Sequence, residues 1–157
     1  TYTQLKDVKT FCNSLHSTPD FKEVVTSLTE YATPDTIVDH DDTMPDDFEV
    51  DNVRFIRADA IDSIQSEELS SDLYTLGCFN SWFLSSVLDI EEDVIAALQD
   101  SEAYEALGKL IVSMGKLGDV QQGYSSTDGY GHHFNHYDFS EQELTISGTD
   151  YLVFDNH

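Results

Sequence analysis

Carboxylates are the side chains in this sequence whose number and spacing could do chemistry. The chain carries 31 Asp and Glu against seven Lys and Arg, which gives a formal net charge of −24. Residues 33–102 hold nineteen of these acids and only two basic residues, Arg54 and Arg57. Solubility is best served by interspersed charges of both signs, so a one-signed stretch of this length predicts a dedicated binding surface.

The spacing of these acids is close to the spacing of phosphates along nucleic acid. Alternate residues on a strand lie about 6.8 Å apart, and residues four apart on a helix lie about 6 Å apart. The strand spacing occurs in Asp39 with Asp41 and in Asp47, Glu49 and Asp51, and the helical spacing in Glu68 with Asp72 and in Asp89 with Asp93. Such an array predicts an acidic face that competes with nucleic acid for a basic cleft on a partner protein. The residues assigned to this face are Asp39, Asp41, Asp42, Asp46, Asp47, Glu49, Asp51, Asp59, Asp62, Glu67, Glu68, Asp72, Asp89, Glu92 and Asp93.

Two other interpretations of the acidic run stay open. One is a solvated acidic surface that serves no particular partner. The other is calcium binding, because Asp39-His40-Asp41-Asp42 supplies hard oxygen ligands. The run lacks the D-x-D-x-D-G…E spacing of a helix-loop-helix calcium site, however, so no metal is predicted there.

A second group that could do chemistry is His132, His136 and Asp138. If residues 132–138 form a strand, these side chains share one face and could form a metal site of two histidines and one carboxylate. Glu141 could then act as the general base of a metal-dependent hydrolase. No H-E-x-x-H motif or cysteine pair supports this site, and an ordinary half-buried segment is the other interpretation.

Other classes of function lack their motifs. The chain has no G-x-S-x-G, no Walker loop and few basic residues to hold a phosphate, so we predict a non-enzymatic protein without a cofactor. Its charge disfavours direct binding to nucleic acid or to a membrane surface. Cys12 and Cys78 lie in apolar segments, which predicts buried reduced thiols, with a disulfide as the alternative. No apolar run reaches the roughly 18 residues of a membrane span, so a cytoplasmic location is expected.

The elements that must position these residues are mostly helical. Hydrophobic periodicity predicts an α+β fold of five to six helices with a small C-terminal antiparallel hairpin or three-stranded sheet. We expect a single domain. Its segments are a helical pair over 1–32, an acidic loop over 33–52, a helical core over 53–118, and a Gly-, Tyr- and His-rich loop with a hairpin over 119–157.

Local signals predict where several helices begin and end. Thr18 is the expected N-cap of the second helix, with Pro19 at its first position. Asp89 and Glu92 have the form of a capping box. Other expected caps are Asp100 or Ser101, and the expected helix ends are Gly77, Gly115 and Gly118.

Two stretches of the central region carry predictions about burial. Residues 53–57 are either a short strand or the start of a helix, because Val-Arg-Phe-Ile-Arg fits both patterns. Residues 79–84 form the most apolar stretch and predict a buried helix that places Trp82 in the core. An exposed Trp82 would instead indicate a hot spot for protein binding.

In the concentration of acids over residues 33–102, the chain resembles the acidic inhibitor proteins of phages and plasmids. These include anti-restriction proteins, anti-CRISPR proteins and uracil-DNA glycosylase inhibitors, which use carboxylates in place of phosphates. The segments LGCFNSWF (76–83) and DGYGHHF (128–134) are similar to short uncharacterised phage open reading frames. The resemblance implies an inhibitor in a bacterial cytoplasm that occupies the basic cleft of a host nucleic-acid-binding protein, with a homodimer as one way to lengthen the acidic face. Those inhibitors share no motif, so no site residue is carried over from them.

Overall fold

A computed structural model describes residues 2–38, 44–136 and 139–156 of the chain. Within these residues the fold is α+β and mostly helical, as the sequence predicts, but it has nine helices rather than five to six. The strands are β1 (Tyr2–Gln4), β2 (Thr36–Val38), β3 (Asp47–Val50), β4 (Val53–Arg57), β5 (Gln142–Ile146) and β6 (Thr149–Asp155). The helices are α1 (Leu5–Ser14), α2 (Phe21–Leu28), α3 (Ile61–Ser70), α4 (Leu73–Gly77), α5 (Ser81–Leu88), α6 (Glu92–Asp100), α7 (Tyr104–Ser113), α8 (Leu117–Asp128) and α9 (Tyr130–Phe134).

The chain packs as two compact units. One consists of Thr1–Ile61 with Gly129–His157, and the other of Asp62–Asp128. We call them the sheet unit and the helical unit. Each contains its own cluster of buried apolar side chains. That the two make up a single domain stays a prediction.

The sheet unit is built on four antiparallel strands in the order β3-β4-β6-β5. The predicted C-terminal hairpin is confirmed as β5 and β6, and residues 53–57 are the strand β4 rather than the start of a helix. β4 and β6 are the two central strands, and Val53, Phe55 and Ile56 of β4 are fully buried. A separate pair of strands, β1 and β2, completes the sheets of this unit.

The predicted loop over 33–52 is wrong in part, because β2 and β3 lie within it. Asp51 and Asn52 form the turn between β3 and β4 with φ of 50° and 67°. Asp and Asn tolerate this left-handed conformation, which suits a two-residue hairpin turn. An acid-rich segment therefore folds as a hairpin because its turn chemistry and the apolar residues of β4 outweigh its charge.

The N-cap of α2 is Asp20 and not Thr18. The Asp20 side chain accepts a hydrogen bond from the backbone N–H of Lys22 at 2.9 Å. Thr18 has a φ of 44°, whereas an N-cap residue has extended backbone. Pro19 consequently precedes the helix instead of starting it.

The helical unit packs α3 to α8 around a core that includes Leu76, Leu84, Ile95, Leu107 and Ile111. Its closest helix crossing joins α4 to α7. A Cβ at Gly77 would collide with the carbonyl of Tyr104, and a Cβ at Gly108 would collide with the carbonyl of Leu73. The two glycines therefore allow the two backbones to touch.

Several predicted helix boundaries in this unit are wrong. Asp89 ends α5 in a left-handed conformation with φ of 55°, so it does not start a capping box with Glu92. Ala103 rather than Asp100 or Ser101 precedes α7. Gly115 follows α7 with φ of 70°, as predicted, but Gly118 lies inside α8.

Two further corrections concern the lengths of helices. The sequence pattern predicts one helix over Glu67–Leu76 that ends at Gly77, but this helix is divided, since α3 ends at Ser70 and the side chain of Asp72 caps α4. Residues 123–128, predicted as a turn-rich loop, belong to α8. Both differences raise the helix count, because one predicted helix becomes two and a predicted loop is helical.

Candidate protein-binding surface

Three acids of the sheet unit that we assigned to a binding face are held by the two arginines. Asp47 accepts hydrogen bonds from Nε and Nη2 of Arg54 at 3.0 and 2.7 Å. Asp46 and Asp59 form ion pairs with Arg57 at 2.7 and 2.6 Å. The hydrogen bond to Asp59 is the main reason that the pKa of Arg57 is raised. The two guanidinium groups therefore offset part of the charge of these three carboxylates.

Of the remaining predicted acids of the sheet unit, Glu49 has the predicted strand spacing and Asp51 does not. Glu49 is exposed and lies two residues from Asp47 on β3, so this pair has the predicted strand spacing. Asp51 does not continue this spacing, because it lies in the turn that follows β3. Its carboxylate accepts a hydrogen bond from the N–H of Asp20 at 3.0 Å. Asp39, Asp41 and Asp42 lie outside the described residues.

In the helical unit, three predicted acids have local structural partners. Asp72 accepts hydrogen bonds from the N–H and the hydroxyl of Thr75 at the start of α4. Asp62 accepts one from Nε2 of Gln121 at 2.9 Å. Glu92 accepts one from the hydroxyl of Ser81 at 2.7 Å. Glu67 is exposed at the surface of α3 and Glu68 is half-buried there.

The two predicted i,i+4 pairs are wrong as helical pairs. Glu68 lies in α3, whereas Asp72 precedes α4. Asp89 ends α5, whereas Asp93 lies in the first turn of α6. A break in the helix falls inside each pair, so neither pair has the spacing of successive residues along one helix face.

The prediction that Trp82 lies in the core is wrong, because its side chain is 71% exposed. α5 has two sides, and the buried Leu84 and Leu88 occupy the inner one. Trp82 lies on the other side, seven residues before the exposed Asp89. Asp89 follows α5 in a left-handed conformation, at the opposite end of the helix from Trp82.

The acidic turn that follows α5 is held against the helix next to Trp82. Ser81 donates its hydroxyl hydrogen bond to Glu92, and Ser85 donates one to the carbonyl of Ile90 at 2.6 Å. Asn80 caps the helix by accepting from the N–H groups of Trp82 and Phe83 at 2.9 and 3.2 Å. We call the exposed residues Trp82, Asp89, Glu91 and Asp93 the α5–α6 surface.

The α5–α6 surface belongs to a unit with little positive charge. The helical unit contains thirteen acids and two basic residues, Lys109 and Lys116. Lys116 forms an ion pair with Asp119 on α8 at 3.7 Å. An exposed tryptophan beside acids of one sign is suited to an anchor in a basic protein surface.

The predicted strand over 132–138 is wrong, because residues 130–134 form the helix α9. His132 stacks on the ring of Phe139, with ring centroids 4.9 Å apart. Asp138 lies outside the described residues, and among the residues that the structure describes no three His, Cys, Asp or Glu side chains come together as a metal site. Partial burial raises the pKa of Glu141, and the charge of Glu143 adds to this shift.

The two cysteines are both free, and only one of them is buried as predicted. Cys12 is 1% exposed in the core of the sheet unit, and burial together with the charge of Asp20 raises its pKa to about 11. Cys78 follows α4 and is exposed. Its apolar sequence neighbours suggested burial, but α4 ends just before it.

The helical unit also contains a cleft that the sequence does not predict. The cleft has a volume of about 310 Å³. Its lining consists of Phe79, Asn80, Phe83, Gly123, Tyr124, Thr127 and Asp128. The two contributing segments are about forty residues apart in sequence, and no pattern within either segment indicates that they meet.

Neither a family model, nor a curated protein, nor a solved structure matches this chain. Across the described ranges, no helix has both the length and the apolar character that crossing a membrane requires.

Proposed function

We propose that this protein is a non-enzymatic inhibitor that binds the basic, nucleic-acid-binding cleft of another protein through its α5–α6 surface. The observation that carries the proposal is the 71% exposure of Trp82 at the start of α5, where the neighbouring Ser81 is hydrogen-bonded to Glu92 of the acidic first turn of α6, in a unit with thirteen acids and two lysines. A large exposed indole is costly to leave in water, and such residues are enriched at binding hot spots.

The two kinds of side chain have separate roles in this proposal. The carboxylates stand in for phosphates and attract a basic partner over distance, so they speed association and make it sensitive to salt. Trp82 packs into the partner after contact and supplies the part of the affinity that salt does not remove. Duplex DNA and this protein would then exclude each other from the same cleft.

Affinity capture from a bacterial lysate tests the proposal. The tagged protein is expected to retain a nucleic-acid-binding protein at low salt, and added duplex DNA is expected to release it. Replacing both Glu91 and Asp93 by Lys should weaken capture roughly tenfold or more, because each substitution turns an attraction into a repulsion. Mass spectrometry identifies the captured protein and measures its amount.

A matched control separates the α5–α6 surface from net charge alone. Replacing both Asp100 and Glu105 by Lys makes the same change in charge at exposed positions of the same unit. This variant should retain the partner. Equal losses in the two double variants, or a captured partner that DNA does not release, would contradict mimicry of nucleic acid.

Trp82→Ala distinguishes mimicry from an acidic interaction module that has no relation to DNA. Mimicry predicts weaker capture together with continued release by DNA. Capture that depends on Trp82 but is indifferent to both DNA and salt would instead assign the surface to an ordinary protein interface.

A further inference from the structure

The cleft of the helical unit is built from two segments that meet side by side. Phe79 and Asn80 precede α5, and Phe83 lies in its first turn. Gly123, Tyr124, Thr127 and Asp128 come from the last two turns of α8 and recur at the three- to four-residue spacing of one helix face. The cleft volume of about 310 Å³ is at the lower end of the range for small-molecule sites.

Aromatic rings form the walls of this cleft. The ring centroid of Phe79 lies 5.8 Å from that of Phe83 and 4.9 Å from that of Tyr124, and both contacts are edge-to-face. Gly123 leaves room between the helices, because a Cβ there would lie 2.7 Å from Cζ of Phe83. The walls thus offer apolar contact, and aromatic rings of this kind attract cations.

The rim of the cleft is negative for three reasons that act together. Asp128 is exposed and is the last residue of α8. The C-terminal end of a helix carries partial negative charge, so the carboxylate and the helix end reinforce each other. The surrounding unit has thirteen acids and two lysines.

The negative charge of the rim contributes to the raised pKa of Tyr124. Its side chain is 7% exposed, and burial and then the charge of Asp128 raise its pKa to about 12. The phenol is therefore neutral at physiological pH and can donate a hydrogen bond. Asp128 and Tyr124 both line the cleft, so the carboxylate lies beside the space that the rings enclose.

We propose that this cleft binds a small organic ammonium ion, with its hydrocarbon part among Phe79, Phe83 and Tyr124 and its charge beside Asp128. An anion is excluded by the rim, and a neutral ligand of the same shape gains nothing from Asp128. A cation gains from both the carboxylate and the rings, which is the chemistry of aromatic sites for ammonium groups. The site shares no residue with the α5–α6 surface, so it stands or falls separately from the proposed inhibition.

Titration with two probes of equal shape tests the charge requirement. The probes are 2-phenylethylammonium and the neutral 2-phenylethanol, followed by calorimetry and by the amide chemical shifts of Gly123 and Thr127. The ammonium ion is expected to bind about tenfold more tightly than the alcohol. Equal affinity for the two probes, or no binding of the ammonium ion at millimolar concentration, overturns the proposal.

Substitutions then locate the site. Asp128→Asn should weaken binding of 2-phenylethylammonium about five- to tenfold, and Phe79→Leu should weaken it by a similar factor while keeping an apolar wall. Asp119→Asn removes an equal charge from the same helix outside the cleft, and it should leave the affinity within about twofold of the unsubstituted protein. Equal effects of Asp128→Asn and Asp119→Asn would show a diffuse counterion effect and overturn the assignment.

Discussion

The two compact units of this protein use their negative charge differently. In the sheet unit, Arg54 and Arg57 hold Asp46, Asp47 and Asp59 in ion pairs, and the buried Asp155 accepts hydrogen bonds from the N–H and hydroxyl of Ser17. In the helical unit, thirteen acids share two lysines. The sheet unit holds eighteen acids against five basic residues, so its ion pairs reduce the charge that it can offer to a partner without removing it, whereas the helical unit has fewer basic residues for each acid.

The comparison also shows what stabilises each unit. The sheet unit joins segments from both ends of the chain by strand pairing, with β4 and β6 in its centre. The helical unit is continuous in sequence and depends on close helix packing, because its surface charges repel one another. Substitutions that act on packing or on charge should consequently affect the two units unequally.

The largest expected effect comes from the crossing of α4 and α7. Gly108→Ala places a Cβ against the backbone carbonyl of Leu73, so the helices must separate. We expect a loss of about 3 kcal/mol in the free energy of unfolding. Urea denaturation followed by circular dichroism measures the loss, and hydrogen exchange locates it.

Gly118→Ala is the matched control for this substitution. Gly118 also lies in a helix of the helical unit, but a Cβ there meets nothing within 4 Å. Its replacement should stabilise the protein by about 0.5–1 kcal/mol. If Gly108→Ala lowers the exchange protection of β4 as much as that of α7, the two units do not differ in stability as proposed.

The next effect concerns alkaline pH and the buried phenol of Tyr124. Its pKa is about 12 in the folded protein, whereas the ordinary pKa of tyrosine is 10.0. A raised pKa contributes stability that is fully present below pH 10 and is lost as pH rises towards 12, by roughly 2–3 kcal/mol. Unfolding free energies measured from pH 9 to pH 12 should show this loss in the helical unit.

Tyr124→Phe provides the control for this pH dependence. The variant has no phenol to ionise at this position, so its stability should fall less between pH 10 and pH 12. The absorbance of tyrosinate should also show one fewer tyrosine that ionises near pH 12. An unchanged alkaline transition in Tyr124→Phe would assign the loss of stability to other residues.

A smaller effect on stability is expected when Arg54, which pairs with Asp47 in the sheet unit, is replaced. Arg54→Lys loses the two-point contact with Asp47 and the position of the guanidinium 5.0 Å from the ring centroid of Phe134. Because both partners are partly exposed, the expected cost is only about 1 kcal/mol. Urea denaturation at low salt measures it.

The corresponding substitution in the helical unit should have a smaller effect. Glu91→Gln reduces repulsion on the α5–α6 surface but also removes a carboxylate from the N-terminus of α6, where the helix dipole favours it, so the stability should change by less than about 0.5 kcal/mol. Adding 1 M NaCl should narrow the difference between this variant and the unsubstituted protein. A destabilisation equal to that of Arg54→Lys would mean that charge is used alike in the two units.

The parts of the fold that sequence predicts well are those set by local pattern. β4, β5 and β6 alternate or run apolar, and their burial follows that pattern. The predicted strand at residues 132–138 is wrong because contacts distant in sequence decide it. Gly131 in α9 lies against the backbone of Phe139, and the ring of Phe134 contacts that of Phe154 at 5.1 Å.

The candidate sites, like the fold, are predictable from sequence only where a local pattern determines them. The sequence predicts an acid-rich protein, but it cannot show that Arg54 and Arg57 hold three of the assigned acids, because those pairs depend on the register of β3, β4 and the turns beside them. Trp82 was misplaced because an apolar stretch of six residues cannot bury all its sides in one helix. The aromatic cleft depends on the contact of α8 with the segment before α5, which no local signal encodes.

The smallest effect links the cleft to stability. Asp128 and Asp119 lie at opposite ends of α8, so the helix dipole disfavours the first carboxylate and favours the second. Asp128→Asn should raise the free energy of unfolding by about 0.5 kcal/mol, and Asp119→Asn should lower it by a similar amount. Differential scanning calorimetry of the two variants at low salt measures both. A stabilising substitution that also weakens binding of an ammonium ion would show that Asp128 is retained at a cost to the fold, as expected for a residue in a binding site. If Asp128→Asn destabilises the protein instead, its carboxylate has a structural role, and the contrast between acids held by arginine in the sheet unit and acids of the helical unit, which contains no arginine, does not extend to this position.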